Sequence, residues 1–198
     1  MVATLMVVVA AGAAEALPAI SILWRESGST LTSATKHATA LADVVLTGDS
    51  SGVAVLGVFV SIEFDTGELV ALGGVEAAAV KLPGMANVMT PLAFGTTVDN
   101  VNGLILNFDQ ATLDAGLSSA VSVTLGSIRF QRNGITLDDN GIDVIASLQN
   151  VGVDAIETDA GPGSAIFNGA SVSPEPTTAV LVIVGLAFSG YASRRSGG

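Results

Sequence analysis

His37 is the one histidine in the chain, and there is no cysteine. A Ser-His-Asp arrangement would have to be built on that residue, while thiolate catalysis and cysteine-based zinc sites are excluded outright. His37 stands in TSATKHATA beside Lys36, a polar stretch that reads as an exposed loop. Glu63 and Asp65 fall on one face of an alternating segment. Paired carboxylates are the machinery of glycoside hydrolysis, but the polar neighbours here read as a solvated strand face. Asp138-Asp139-Asn140-Gly141-Ile142-Asp143 gathers oxygen ligands at a glycine turn. Calcium takes about six to eight such ligands from a flexible loop. The spacing departs from the EF-hand pattern, so Asp138, Asp139 and Asp143 read first as a turn, with a weak Ca²⁺ site as the alternative. No other cofactor is expected. Trp24 offers a ring on which a sugar can stack, yet it shares strand parity with Ile20 and Ile22 and reads as core.

The segments that must position these groups alternate with period two, as half-buried strands do. Val58, Val60, Ile62 and Phe64 share a face opposite Ser61, Glu63 and Asp65. Leu104, Leu106 and Phe108 oppose Asn107 and Asp109, and Ala42, Val44 and Leu46 oppose Asp43 and Thr47. In AVSVTLGSIRFQ, Val121, Val123 and Leu125 have one parity and Ile128 and Phe130 the other. The phase slips at Gly126, which predicts a β-bulge there. Gly, Asp, Asn and Ser punctuate the strands as turn residues. Only DQATLDAGL, Asp109 to Leu117, looks like a short helical turn. Strands without intervening helices imply an all-β, two-layer antiparallel sandwich.

Apolar residues make up 49% of the 198, against 13% charged, enough for one core and too few charges for long exposed helices. The net charge is −11, and Lys and Arg total seven. Two of the seven are Arg194 and Arg195. No basic patch can be assembled from the rest, which excludes nucleic-acid binding.

The two ends read as signals. MVATLMVVVAAGAAEA is an apolar run closing on Ala14-Glu15-Ala16, the pattern of a secretory signal peptide cut after Ala16, although no Lys or Arg precedes the run. Pro174-Glu175-Pro176 opens the other end. An apolar stretch over 177–192 comes next and then Arg194-Arg195. As a helix that stretch would be about 24 Å long, short for a hydrocarbon core of about 30 Å. The arginine pair would stay cytoplasmic and leave everything before the stretch outside.

Pro-Glu-Pro, a short apolar stretch and a terminal Arg pair, in that order, resemble the PEP-CTERM sorting signal. The resemblance implies processing by an exosortase-like membrane enzyme, transient membrane anchoring through the 177–192 helix, and delivery to the surface or matrix of a Gram-negative bacterium that makes exopolysaccharide. ADVVL (42–46), GVFVSIEFD (57–65) with Leu69, and LGSIRF (125–130) are similar to the strands of cohesin-like domains. That likeness implies a jelly-roll sandwich and a dockerin-like or carbohydrate partner. The expected organisation is therefore a signal peptide over 1–16, a cohesin-like β-sandwich over 17–172 and a sorting tail over 173–198. The leading function is a non-catalytic surface or matrix protein associated with exopolysaccharide. A protein-binding module is the alternative, and a secreted glycoside hydrolase stands third, for want of an acid-base pair.

Overall fold

In a computed structural model the chain is described over residues 17–28, 30–32, 39–49, 52–76, 80–81, 87–91, 96–112, 116–118, 121–133, 141–150 and 152–173. The processing residues Ala14, Ala16, Pro174, Glu175, Pro176, Arg194 and Arg195, the 177–192 stretch, His37, Asp138 and Asp139 all lie outside them. Among the described residues no helix is long and apolar enough to cross a membrane.

The strands in chain order are β1 (Ala19–Trp24), β2 (Thr30–Thr32), β3 (Thr39–Thr47), β4 (Val55–Phe64), β5 (Leu69–Glu76), β6 (Val80–Lys81), β7 (Asn87–Pro91) and β8 (Thr97–Asp99). They continue with β9 (Leu104–Ala111), β10 (Ser122–Arg132), β11 (Val144–Ser147), β12 (Ala155–Thr158), β13 (Gly161–Gly163), β14 (Ile166–Asn168) and β15 (Ser171–Ser173). One sheet runs β14-β1-β3-β10-β5. The other has eight strands, with β13-β12-β4-β9-β7-β6 as its spine, β11 beside β4 and β8 beside β9. Two pairings depart from the antiparallel expectation: β14 lies parallel to β1, and β15 parallel to β2. Parallel neighbours need a long crossover, and here nearly the whole domain is that crossover.

Alternation does what it promised along β1, β3 and β4. Ile20, Ile22, Trp24, Ala42, Val44, Leu46, Val58, Val60, Ile62 and Phe64 are all buried between the sheets. Each large member contributes about 1.5–3 kcal/mol. The phase slip on β10 is a bulge: Thr124 pairs Val45 and Gly126 pairs Val44, so Leu125 is the extra residue. Both of its flanking phases then reach the core, Val123 and Leu125 before it, Ile128 and Phe130 after. Gln110, fully buried, donates from Nε2 across the interior to the Leu125 carbonyl. A bulge disturbs its ladder, and the opposite sheet supplies this carbonyl with a donor.

The expectation for β9 fails in phase. Ile105 and Phe108 are buried, while Leu104 and Leu106 are only half-buried on the other side. Val60 pairs Phe108 but Ile62 pairs Ile105, so Leu106 and Asn107 together face Ser61. Asn107 has φ 58°, the left-handed conformation that asparagine tolerates better than most residues. The bulge is therefore marked by an asparagine rather than a glycine. The helical turn expected over Asp109–Leu117 is also corrected where it is described: Asp109–Ala111 extend β9, and Leu117 bridges Val55.

At the open edge of β5, the Asn100 carboxamide accepts from the Ala71 N–H at 2.8 Å and donates to the Ala71 carbonyl at 2.9 Å. It satisfies the edge as a neighbouring strand residue would, blunting a site for edge-to-edge pairing. Asn100→Ala should lower stability by about 1–2 kcal/mol and increase light scattering on warming. An unchanged denaturation midpoint and clear solutions would contradict this role.

Candidate functional site

Ser61 and Asp109 lie on the outer side of the eight-stranded sheet, by parity with their inward neighbours Val60, Ile62 and Phe108. Outer-face residues should be wet, yet Ser61 is 0% exposed and Asp109 is 4% exposed. Asp154 sits over Ser61, with Asn150 beside it. β11 and β12 occupy one edge of β4 in succession, Ser147 opposite Ser61 and Ala155 opposite Phe59. Between them residues 148–150 and 152–154 leave the ladder. Asp154 Oδ2 accepts from Ser61 Oγ at 2.7 Å and from Asn150 N at 2.9 Å. The segment exposes Leu148 and Val153.

Burial pushes the Asp109 carboxyl above its ordinary range, the Asp154 charge adds to the rise, and a hydrogen bond from the Val60 backbone opposes it. A carboxyl raised in the folded state penalises folding above that folded pKa, and the penalty vanishes once pH falls below the unfolded value. Asp109→Asn should therefore raise the melting temperature at pH 7 by about 2–4 °C. The gain should shrink on acidification and be gone near pH 3. A gain that persisted at low pH, or a loss at pH 7, would refute the cause.

The same face opens into a cleft of about 300 Å³, lined by Glu63, Phe64, Asp65, Asn102, Gly103, Leu104, Ile142, Asp143 and Ile145. One cross-strand row forms its floor, because Ile145 on β11 pairs Glu63 on β4, and Glu63 pairs Leu104 on β9. The wall beside Leu104 is the β8–β9 turn. Asp99 shapes it by accepting from the Asn102 side chain at 2.7 Å and from the backbone of Val101 and Asn102 at 2.9 and 3.1 Å. Those bonds, the Asn102 side chain foremost, hold the Asp99 carboxyl below the usual range. Gly103 closes the turn at φ 68°, with its Cα so near the Phe64 carbonyl that a Cβ would collide with the oxygen. Only glycine fits there. Ile142 forms the opposite rim, 60% exposed.

The site residues expected from sequence separate here. Glu63 and Asp65 both reach the cleft, and Asp65 Oδ1 also accepts from Gly67 N at 2.6 Å. Asp143 is 1% exposed, and its Oδ2 accepts from Val172 N at 2.5 Å. The carboxylate read as part of a surface turn is thus employed in fastening the last strand. Among the described residues no three metal-ligating side chains of the His, Cys, Asp and Glu types converge. Trp24 is core, as its parity indicated: its ring meets Phe130 edge-on at 5.8 Å and Nε1 donates to the Ser171 carbonyl. Ile142, Ile145 and Leu104 were not marked as site residues in the sequence. Leu104 was assigned inward because the bulge after it was invisible.

The outer face of the five-stranded sheet differs in kind. Several of its polar groups bond one another. Arg25 Nη2 donates to Asp43 Oδ1 at 2.6 Å and to Ser127 Oγ at 2.7 Å, and Ser127 Oγ donates to Asp43. Thr47 bonds Ser122, and Asn168 bonds Ser21. Burial works to raise Asp43, but the bonds from Arg25 and Ser127 and the Arg25 charge outweigh it and hold the carboxyl below the usual range.

Among solved structures, the chain is similar to the type II cohesin A11 from Bacteroides cellulosolvens, with a TM-score of 0.53 at 9% identity over 79% of this chain and 99% of that one. The fold is a cohesin-like β-sandwich. A cohesin of ScaC from Acetivibrio cellulolyticus, solved in complex with the ScaB dockerin, aligns with a TM-score of 0.47 at 12% identity, over 80% of this chain and 99% of that one. A Clostridium thermocellum cohesin, solved in a type I cohesin–dockerin complex, gives 0.46 at 10% identity, over 83% and 99%. No protein-family model matches the chain, and no curated protein does. The cohesin-like architecture thus emerges from the path of the strands, with few residues shared.

Proposed function

We propose that this cohesin-like domain is a non-catalytic binding module of an exported surface protein, and that it holds a protein partner on the outer face of its eight-stranded sheet. One observation carries the reading: that face presents an open cleft in which the Glu63 carboxylate stands unpaired between aliphatic side chains, whereas several polar groups of the other outer face are bonded to one another. Cohesins of this fold have been solved with dockerins, which makes a dockerin-like partner the first class to test. The chain, immobilised and exposed to the host's secreted proteins, should retain one partner at fixed stoichiometry. Release of that partner by substitutions in the cleft, and not by Ser122→Ala on the other sheet, is the expected pattern. Retention of exopolysaccharide alone would favour the matrix role instead.

Export and sorting belong to the same proposal and rest on Ala14, Ala16, Pro174-Glu175-Pro176 and Arg194-Arg195. In a host with an exosortase-like enzyme the intact mass should correspond to a chain that starts at Leu17 and lacks the residues after the Pro-Glu-Pro region. A mass that includes Met1 would remove the signal peptide from the account, and one that includes Arg194-Arg195 would remove the processing of the tail.

A further inference from the structure

Glu63 is flanked on both sides by aliphatic side chains in register, Ile145 on β11 and Leu104 on β9. Exposed Ile142 stands on the rim, and Asp65 lies farther along the same cleft. No lining residue is basic. Glu63 is half-buried, and its carboxylate has no hydrogen-bond or ion-pair partner among the described residues. A carboxylate held between apolar walls needs a ligand with two properties. It must bring a positive charge, because the acid has no partner and no lining residue of the cleft is basic. It must also bring an aliphatic stem to cover the walls.

Other ligands fit less well. A divalent cation wants about six to eight oxygens, and the flanking positions supply hydrocarbon. A sugar ring wants an aromatic platform, and Phe64, the one aromatic residue of the lining, turns its ring into the core against Phe130 at 5.4 Å. Lysine and arginine carry the required pairing of stem and charge. The chain itself has few to offer: its net charge is −11, with 18 acidic residues against seven Lys and Arg.

We infer that the cleft is a receptor for a single lysine or arginine side chain of the protein partner, with the stem on Leu104, Ile142 and Ile145 and the charge on Glu63. This rests on the binding-module reading and specifies what the partner must present.

The test titrates the full ¹⁵N-labelled chain with three small probes: Nα-acetyl-lysine methylamide, its arginine counterpart, and Nα-acetyl-norleucine methylamide, which keeps the stem and lacks the charge. The two cationic probes should shift the amides of Glu63, Leu104 and Ile145 in a saturable way. The norleucine probe should bind at least roughly tenfold more weakly. Glu63→Gln should abolish the cationic preference while leaving the melting temperature unchanged. Equal binding of norleucine, lysine shifts that survive Glu63→Gln, or no shift of this row would each overturn the inference. The binding-module reading is judged separately by partner capture. A partner held equally by wild type and Glu63→Gln leaves the module standing and removes the receptor. Cationic shifts at this row with no partner captured remove the module and leave the receptor.

Discussion

Trp24→Ala is expected to cost about 3–5 kcal/mol, against a total stability of about 5–15 kcal/mol for a domain of this kind. Trp24 is 1% exposed and is one of the largest fully buried side chains. It packs edge-on to Phe130, which packs edge-on to Phe64 on β4, so the aromatic chain joins the two sheets. Its Nε1 also donates to the Ser171 carbonyl at 2.9 Å, tying β1 to the final strand. Alanine leaves a cavity, an unsatisfied carbonyl and a loosened C-terminal segment. Phe at this position keeps most of the apolar contact and loses the hydrogen bond, so Trp24→Phe should cost roughly 1–2 kcal/mol. Urea denaturation of the two variants separates the terms. A loss below about 1 kcal/mol for alanine would mean that the ring does not hold the sheets together.

Asp143→Ala should be the second large effect, about 2–4 kcal/mol, because it strands a buried N–H and removes a charge-assisted bond. The Asp143 carboxylate accepts from Val172 N at 2.5 Å, its backbone N donates to Ala170 O at 3.0 Å, and its carbonyl accepts from Asp65 N at 2.9 Å. One residue thereby joins the end of β4, the start of β11 and the run into β15. The loss should appear in full without calcium. Protease cleavage should move first to the residues around β15, since that segment loses its anchor while the two main sheets persist. If the variant were as stable as wild type in chelator and differed only when Ca²⁺ was added, Asp143 would be acting as a metal ligand and the fastening role would be wrong.

These residues also mark how far the sequence could be read. The inward faces of β1, β3 and β4 were legible because a strand's period is two and each carries an unbroken apolar parity. The β10 bulge was legible because a glycine sits where the parity changes. The β9 bulge was not, because Asn107 adopts positive φ in a segment whose apolar residues kept a plausible parity by accident. That single slip moved Leu104 from the core side to the cleft. Ser61 and Asp109 lie opposite the apolar parity of their strands and are nevertheless buried. Asp154, which lies over Ser61, comes from the connection between β11 and β12, two strands that share one edge of β4. Nothing local in the sequence announces that.

Of the candidate site, Glu63 and Asp65 were legible as outer-face acids, and their polarity suggested no more than solvent. What turns Glu63 into a binding group is its pair of cross-strand neighbours, and registers between strands distant in sequence are set by tertiary structure. Asp143 reads from its neighbours as part of a turn, while its side chain bonds the backbone of a strand about thirty residues later.

The measurement that bears most directly on the binding-module reading is hydroxyl-radical footprinting of the full chain, free and with its captured partner. Exposed and half-buried apolar side chains report on both sheets: Leu104, Ile142, Ile145, Leu148 and Val153 on the eight-stranded side, Leu23 and Ile166 on the five-stranded side. Binding should protect the first group, most strongly Ile142 and Leu104, and leave Leu23 and Ile166 as reactive as before. Protection of Leu23 and Ile166 with an unchanged Ile142 would place the partner on the hydrogen-bonded face and contradict the account.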